Sequence, residues 1–168
     1  ECFSTQHRIE CWGFVVKEKR HLRKINIEKV RAYDIPAASY HKLQDGEDYI
    51  TPDGSVIQNE LLTIENVKPK SYAFCADTIY DESLCSIIAD ADLMYHESTY
   101  PAALVEKAAE RFHSTTKQAA TIALKANARK LLIGHFSAKF ENLLQFESEA
   151  REVFANTELA AEGTTYLV

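Results

Sequence analysis

A layered α/β fold is predicted for the second half of the chain on three observations. From residue 71 onward, short apolar runs alternate with stretches of helical periodicity. Those runs end on Asp, Glu or His, where open α/β sheets keep their chemistry. And 46% of the 168 residues are hydrophobic, enough for the core of one domain.

Taken in order, His7 to Lys17 reads as a strand rich in β-branched and aromatic residues, with a histidine at its mouth and nothing structured before it. So abrupt a start predicts a chain cut from something longer. Residues 17–58 hold a basic stripe, a short helix over 27–33, a break at Asp34-Ile35-Pro36 and turns at Asp45-Gly46 and Pro52-Asp53-Gly54. Their apolar residues are scattered, which predicts a protruding or peripheral segment. Beyond it come a strand over 71–75, a helix over 81–89, a strand over 92–96, helices over 101–112 and 114–127, a strand over 130–135 and a helix over 141–154. Leu159-Ala160 and Thr164 to Val168 read as a closing hairpin around Glu162-Gly163.

Composition narrows the classes. No run approaches the roughly 18 apolar residues of a membrane span, and the N-terminus has neither a basic nor an apolar leader region, so no membrane partner and a cytoplasmic location are expected. Cys2, Cys11, Cys75 and Cys85 show no C-x-x-C spacing and read as reduced, packed thiols. The net charge of −6 argues against nucleic acid, yet Lys17 to Arg31 carries seven cations against two acids. Such a stripe fits a local RNA-binding element or, equally on charge alone, a solvated face.

His7, Asp77, His113 and His135 all fall at segment ends, joined by His96-Glu97 after an apolar run. Hydrolytic metals take N/O ligands with a coordination position left open, and zinc suits this set. The spacing itself is weak, because no H-x-H or H-E-x-x-H occurs; taken alone, each histidine reads first as a hydrogen-bonded structural residue and Asp77 as a turn cap.

Several boxes occur in an order that resembles the C-terminal half of the ribonuclease Z family, the tRNA 3′-processing endoribonucleases of the metallo-β-lactamase fold. They are His7-Arg8-Ile9-Glu10-Cys11-Trp12-Gly13-Phe14, Tyr72 to Thr78, His96-Glu97-Ser98-Thr99, His113-Ser114-Thr115 and Leu132-Ile133-Gly134-His135-Phe136-Ser137. The resemblance implies half of an αββα sandwich and an enzyme that removes 3′ trailers from precursor tRNA, leaving a 3′-hydroxyl. It implies two zinc ions, with His7 in the first site, Asp77 bridging and His135 in the second. It makes His113 the proton donor to the leaving oxygen and Glu97 the residue that orients it. Lys17, Lys19, Arg20, Arg23, Lys24 and Lys139 would meet RNA phosphates.

Two departures matter. The family's His-x-His-x-Asp-His motif is absent, so this chain alone is expected to be inactive and to bind little zinc. The family's tRNA-gripping arm carries Gly-Pro, whereas Asp34 to His41 lacks the glycines; Lys139 stands where an arginine is frequent and loses the bidentate fork. The competing readings are a phosphodiesterase of the same fold acting on a small substrate, and a non-catalytic dimerisation or RNA-docking module. With one sheet left without its partner, apolar surface would be exposed and a homodimer is expected to cover it.

Overall fold

Strand pairing begins ahead of the strand read from the sequence. In the computed structural model, which describes residues 1–168, Cys2–Ser4 (β1) pairs antiparallel with Trp12–Lys17 (β2), placing Phe3 opposite Gly13. His7 thus lies in the connection of a hairpin, not at the mouth of a strand running 7–17. The cause is Gly13: a Cβ there would come within 2.3 Å of the Phe3 ring, so the missing side chain makes the slot that anchors β1.

Six strands make the main sheet in chain order: β1, β2, then Ser71–Cys75 (β3), Leu93–Glu97 (β4), Leu131–Gly134 (β5) and Thr157–Leu159 (β6). β2 and β3 are antiparallel, while β3 to β6 run parallel. Register sets Cys75 beside His96 and Glu97 beside Gly134, so the carboxyl ends of β3, β4 and β5 open at one edge. Between them run Leu84–Ile87 (α1), Val105–Glu110 (α2), Thr116–Lys125 (α3) and Leu144–Arg151 (α4). Each is shorter than its periodic stretch. Phe112 and Asn127, at φ 60° and 53°, break the helical path after α2 and α3, and a 3-10 turn at Ala102–Leu104 precedes α2.

The predicted closing hairpin does not form. β6 pairs with β5, and Thr164 to Val168 is not a strand. The Tyr166 hydroxyl occupies the place of ladder bonds: it donates to the Leu159 carbonyl at 3.0 Å and accepts from Ala161 N–H at 2.9 Å.

One sheet face carries the core. Ala73, Cys75, Met94, Leu131 and Ile133 pack on Leu84, Ile88, Ile122 and Phe146, and a run of alanines on α3 lets that helix lie close. Burial pushes the Cys75 thiol up to about 12, so it packs as an inert hydrophobe. Cys2, in contrast to the packed thiol expected there, is exposed; all four cysteines are free. On the other face Phe14 stands opposite Phe74, which is level with Tyr95 and stacked on it at 5.0 Å. Trp12, Phe14 and Val16 remain 43%, 47% and 61% exposed on that face. No helix is long and apolar enough to cross a membrane.

Gly134 is required by close approach. A Cβ there would lie 2.5 Å from the Tyr95 hydroxyl oxygen. Gly134→Ala is therefore expected to cost roughly 1–3 kcal/mol in chemical unfolding, as overpacking does. An unchanged midpoint would show that Tyr95 moves freely.

Lys19–Pro69 forms a second compact unit, the first being Glu1–Glu18 with Lys70–Val168. It contains helices Ile27–Ala32, Tyr40–Asp45 and Asn59–Leu62, and strand pairs Lys24–Ile25 with Thr63–Ile64 and Tyr49–Ile50 with Val56–Ile57. Apolar residues that look scattered in sequence meet in a core of Val30, Ile35, Leu43 and Leu62. Buried Asn59 ties it together, donating to the carbonyls of Leu43 at 2.8 Å and Glu47 at 2.7 Å. One residue from each turn or helix leaves no periodic trace.

Candidate active site

Five side chains converge where the parallel strands end. Asp77 follows β3, Glu97 closes β4, His135 follows β5, His113 lies between α2 and α3, and His7 comes from the β1–β2 connection. That connection is tied to the Asp77 loop: Thr5 Oγ1 donates to the Asp77 carbonyl at 2.8 Å, Gln6 N–H to Thr78 Oγ1 at 3.2 Å, and Ile79 N–H to the Gln6 carbonyl at 2.9 Å. His135 has φ 57°, a left-handed conformation that costs a non-glycine residue roughly 1–2 kcal/mol. His113 is held by the Thr115–Gln118 capping box that opens α3 and by Ser114 Oγ, which donates to the Thr78 carbonyl at 2.8 Å.

Glu97, fully buried, is the hub. Its Oε1 accepts from Thr78 N–H at 3.2 Å, Ser114 N–H at 2.9 Å and His113 Nδ1–H at 3.0 Å. Its Oε2 accepts from Thr99 N–H at 2.9 Å and Thr99 Oγ1–H at 2.8 Å. Burial alone would raise this carboxyl, but the hydrogen bond from His113, with the charges of His96 and His113 and the Thr99 hydroxyl, outweighs it, and the net shift is downward. His113 moves the opposite way: its bond to Glu97 raises it against partial burial, aided by the charges of Glu97 and Asp77 and opposed by Arg8.

Donor and acceptor roles fix the other rings in the same way. A carbonyl only accepts, so His7 Nδ1–H donates to the Phe112 carbonyl at 2.8 Å, leaving Nε2 with its lone pair. The Thr99 proton goes to Glu97, so His135 Nδ1–H donates to Thr99 Oγ1 at 2.9 Å, with Asp77 Oδ1 3.4 Å from the same nitrogen. Acceptors of this kind behind the ring commonly orient metal-binding imidazoles. Ring centroids lie 4.9 Å apart for His7 and His113 and 5.3 Å for His113 and His135. Donor atoms of His7, Asp77 and His113 all lie within 4.8 Å of one another, as do those of Glu97, His113 and His135. Neutral imidazole with carboxylate is a donor set that fits a borderline cation.

His96, read as part of the polar rim, is instead buried beneath it. Strand alternation turns it into the core, where burial lowers its pKa and its Nδ1–H donates to the Glu97 carbonyl at 2.6 Å. Of the expected phosphate contacts, Lys17 is exposed on β2, and Lys19, Arg20 and Lys24 are exposed in the second unit. Arg23 is not available in the same way: its Nε donates to Thr63 at 2.6 Å, with Glu65 at 3.8 Å. Lys139 lines a cavity beside His113 together with Arg8, Tyr100, Lys107 and Arg111. Arg8 and Thr99 lie in boxes singled out from the sequence but without a role assigned to them; of Tyr100, Lys107 and Arg111, the one readable signal is the i, i+4 pair of cations at 107 and 111.

No family model matches the chain. Among curated proteins it is 41% identical over 158 residues to one named ribonuclease Z from Parabacteroides distasonis, covering 94% of this chain and 52% of the relative. It is 42% identical over 156 residues to ribonuclease Z of Porphyromonas gingivalis, covering 93% and 51%. The chain therefore spans about half the length of the curated relatives it matches. Among solved structures, the metallo-β-lactamase fold protein YhfI from Bacillus subtilis superposes with TM-score 0.61 at 18% identity, over 97% of this chain and 46% of that one. The short form of human tRNase Z gives 0.50 at 20% identity, over 95% and 39%. Both speak to the fold alone. In architecture the chain is part of a metallo-β-lactamase fold, and in sequence it is, over nearly all its own length, a relative of ribonuclease Z.

Proposed function

We propose that the chain supplies one part of a zinc-dependent endoribonuclease that removes 3′ trailers from precursor tRNA and leaves a tRNA 3′-hydroxyl. The observation that carries this reading is the convergence of His7, Asp77, His113 and His135 around buried Glu97, in a chain whose relatives bear the name ribonuclease Z. His7, Asp77 and His135 would be this chain's ligands to two zinc ions. When bound, such ions activate water as the nucleophile and neutralise phosphoryl charge. His113, its Nδ1–H fixed on Glu97, keeps a proton on Nε2 for the departing ribose oxygen. Thr99 keeps Glu97 and His135 aligned through one hydroxyl.

Three ligands are fewer than two zinc sites need, since each catalytic site takes about three protein ligands. The chain by itself is accordingly inactive in this reading and takes up zinc below one equivalent. The test uses the zinc-loaded full-length protein and a precursor tRNA with a short trailer. Release of the trailer and a mature end that accepts 3′-hydroxyl ligation are expected. An uncut precursor, or a 3′-phosphate end, overturns the proposal.

The apolar row of Trp12, Phe14 and Val16 further supports self-association of this chain into a homodimer. Light scattering should give twice the 19.0 kDa chain mass, reduced to the monomer by Phe14→Asp. A monodisperse wild-type monomer would exclude it.

A further inference from the structure

The cavity beside His113 holds more charge than the chemistry above uses. It measures about 370 Å³ and is lined by Arg8, Tyr100, Lys107, Arg111, His113 and Lys139, so four cations and no carboxylate face it. Elsewhere in the same unit Lys117, Lys125, Lys130 and Arg151 each pair with a glutamate. Arg8, Lys107, Arg111 and Lys139 make no ion pair and no side-chain hydrogen bond within the chain. Lys107 and Arg111 also stand at i and i+4 on α2 and its first flanking residue, where like charges oppose helix formation. Lys107 lies 5.7 Å from the Tyr100 ring centre, and that ring meets His113 edge-on at 6.3 Å. In a chain with 25 acids and 19 bases, four uncompensated cations around one hollow await an anion.

We propose that this cavity is a backbone subsite for single-stranded RNA, in which Arg8, Lys107 and Arg111 bind a phosphate neighbouring the one that is cut. The inference rests on the endoribonuclease reading, because His113 borders both the cavity and the ligand cluster and so links the two along one polynucleotide. The volume is at the small end of ligand cavities, about 300–1,000 Å³, and suits one nucleotide better than a folded partner. Two arginines supply the planar forks that recognise phosphate.

The test measures binding of a fluorescein-labelled eight-nucleotide 2′-O-methyl RNA to the full-length zinc-loaded protein by anisotropy, across a salt series. Arg8→Gln with Arg111→Gln is expected to weaken binding about tenfold and flatten the log affinity against log salt slope by about 0.7, the figure for one single-strand phosphate that goes unneutralised. Lys107→Gln alone should flatten the slope in the same direction by less, and Lys125→Gln, whose partner is Glu82, should change nothing. Unchanged affinity and slope in the double variant overturn the subsite. Displacement of the probe by inorganic phosphate as effective as by unlabelled octamer also overturns it, in favour of a free-anion site. A wild-type protein that binds the probe through these residues but leaves precursor tRNA uncut sinks the trailer-removal reading and keeps the subsite. Slower cleavage in the double variant with binding intact does the reverse.

Discussion

Glu97→Ala is expected to destabilise the fold by about 3–5 kcal/mol, the usual cost of removing one partner from a buried, hydrogen-bonded charge pair. Five donors lose their acceptor at once: the N–H groups of Thr78, Thr99 and Ser114, the Thr99 hydroxyl and His113 Nδ1–H. The two hydroxyl and imidazole groups can turn elsewhere. The three backbone groups cannot, since each buried N–H left alone forfeits its solvation, at roughly 1–3 kcal/mol apiece. Urea unfolding of the two proteins checks this, and a loss below about 1 kcal/mol would mean that water replaces the carboxylate at no cost.

Glu97→Gln separates charge from shape. Its oxygen can take the Thr78, Ser114 and His113 donors, but its NH₂ then faces the Thr99 N–H, which stays unpaired. A smaller loss is expected, with a pH dependence of definite sign. The lowered Glu97 pKa stabilises the fold above its ordinary value of 4.5, and this is lost as pH falls through the folded-state value. The raised His113 pKa stabilises below the ordinary 6.5, and this is lost as pH rises through the folded-state value. The stability difference between wild type and Glu97→Gln should therefore be largest between those ordinary values and shrink on both sides.

The parallel strands were legible because each is a short apolar run ending on a polar residue, and the register then lines up Asp77, Glu97 and His135 without further information. Their meeting with His7 was not legible from spacing. It depends on β1, whose three residues carry one anchoring side chain, and on Gly13, whose role is the space it leaves. The core of the second unit was hidden for a related reason: Val30, Leu43 and Leu62 come from three different short helices and Ile35 from a loop, so no period connects them. Thr99 closes the His96 to Thr99 box, but its role was not legible because it is purely relational, a single hydroxyl between Glu97 and His135. His96, the more conspicuous residue of its box, proved to be core because alternation along β4 decides its side of the sheet.

Asp77 and His113 lie in the same cluster, and donor distances alone would admit both as metal ligands. Their hydrogen bonds divide them. His113 gives its Nδ1–H to the buried Glu97 carboxylate, a negative partner that raises its pKa and favours the protonated ring, as a proton donor requires. The Asp77 carboxylate presents Oδ1 to His135 at 3.4 Å and is not tied down by backbone donors as Glu97 is, so its charge is free for a cation. In the full-length protein Asp77→Asn is therefore expected to lower zinc affinity by more than about a hundredfold, beyond what losing a group that merely orients a ligand costs, and to abolish trailer cleavage with it. His113→Ala should retain its zinc while the rate falls by about 10²–10⁴, the range for a lost proton donor. Mass spectrometry under native conditions counts the metal, and single-turnover cleavage reads the rate. Zinc lost from the His113 variant to the same extent as from the Asp77 variant would make His113 a ligand and leave the departing oxygen to be protonated by another group.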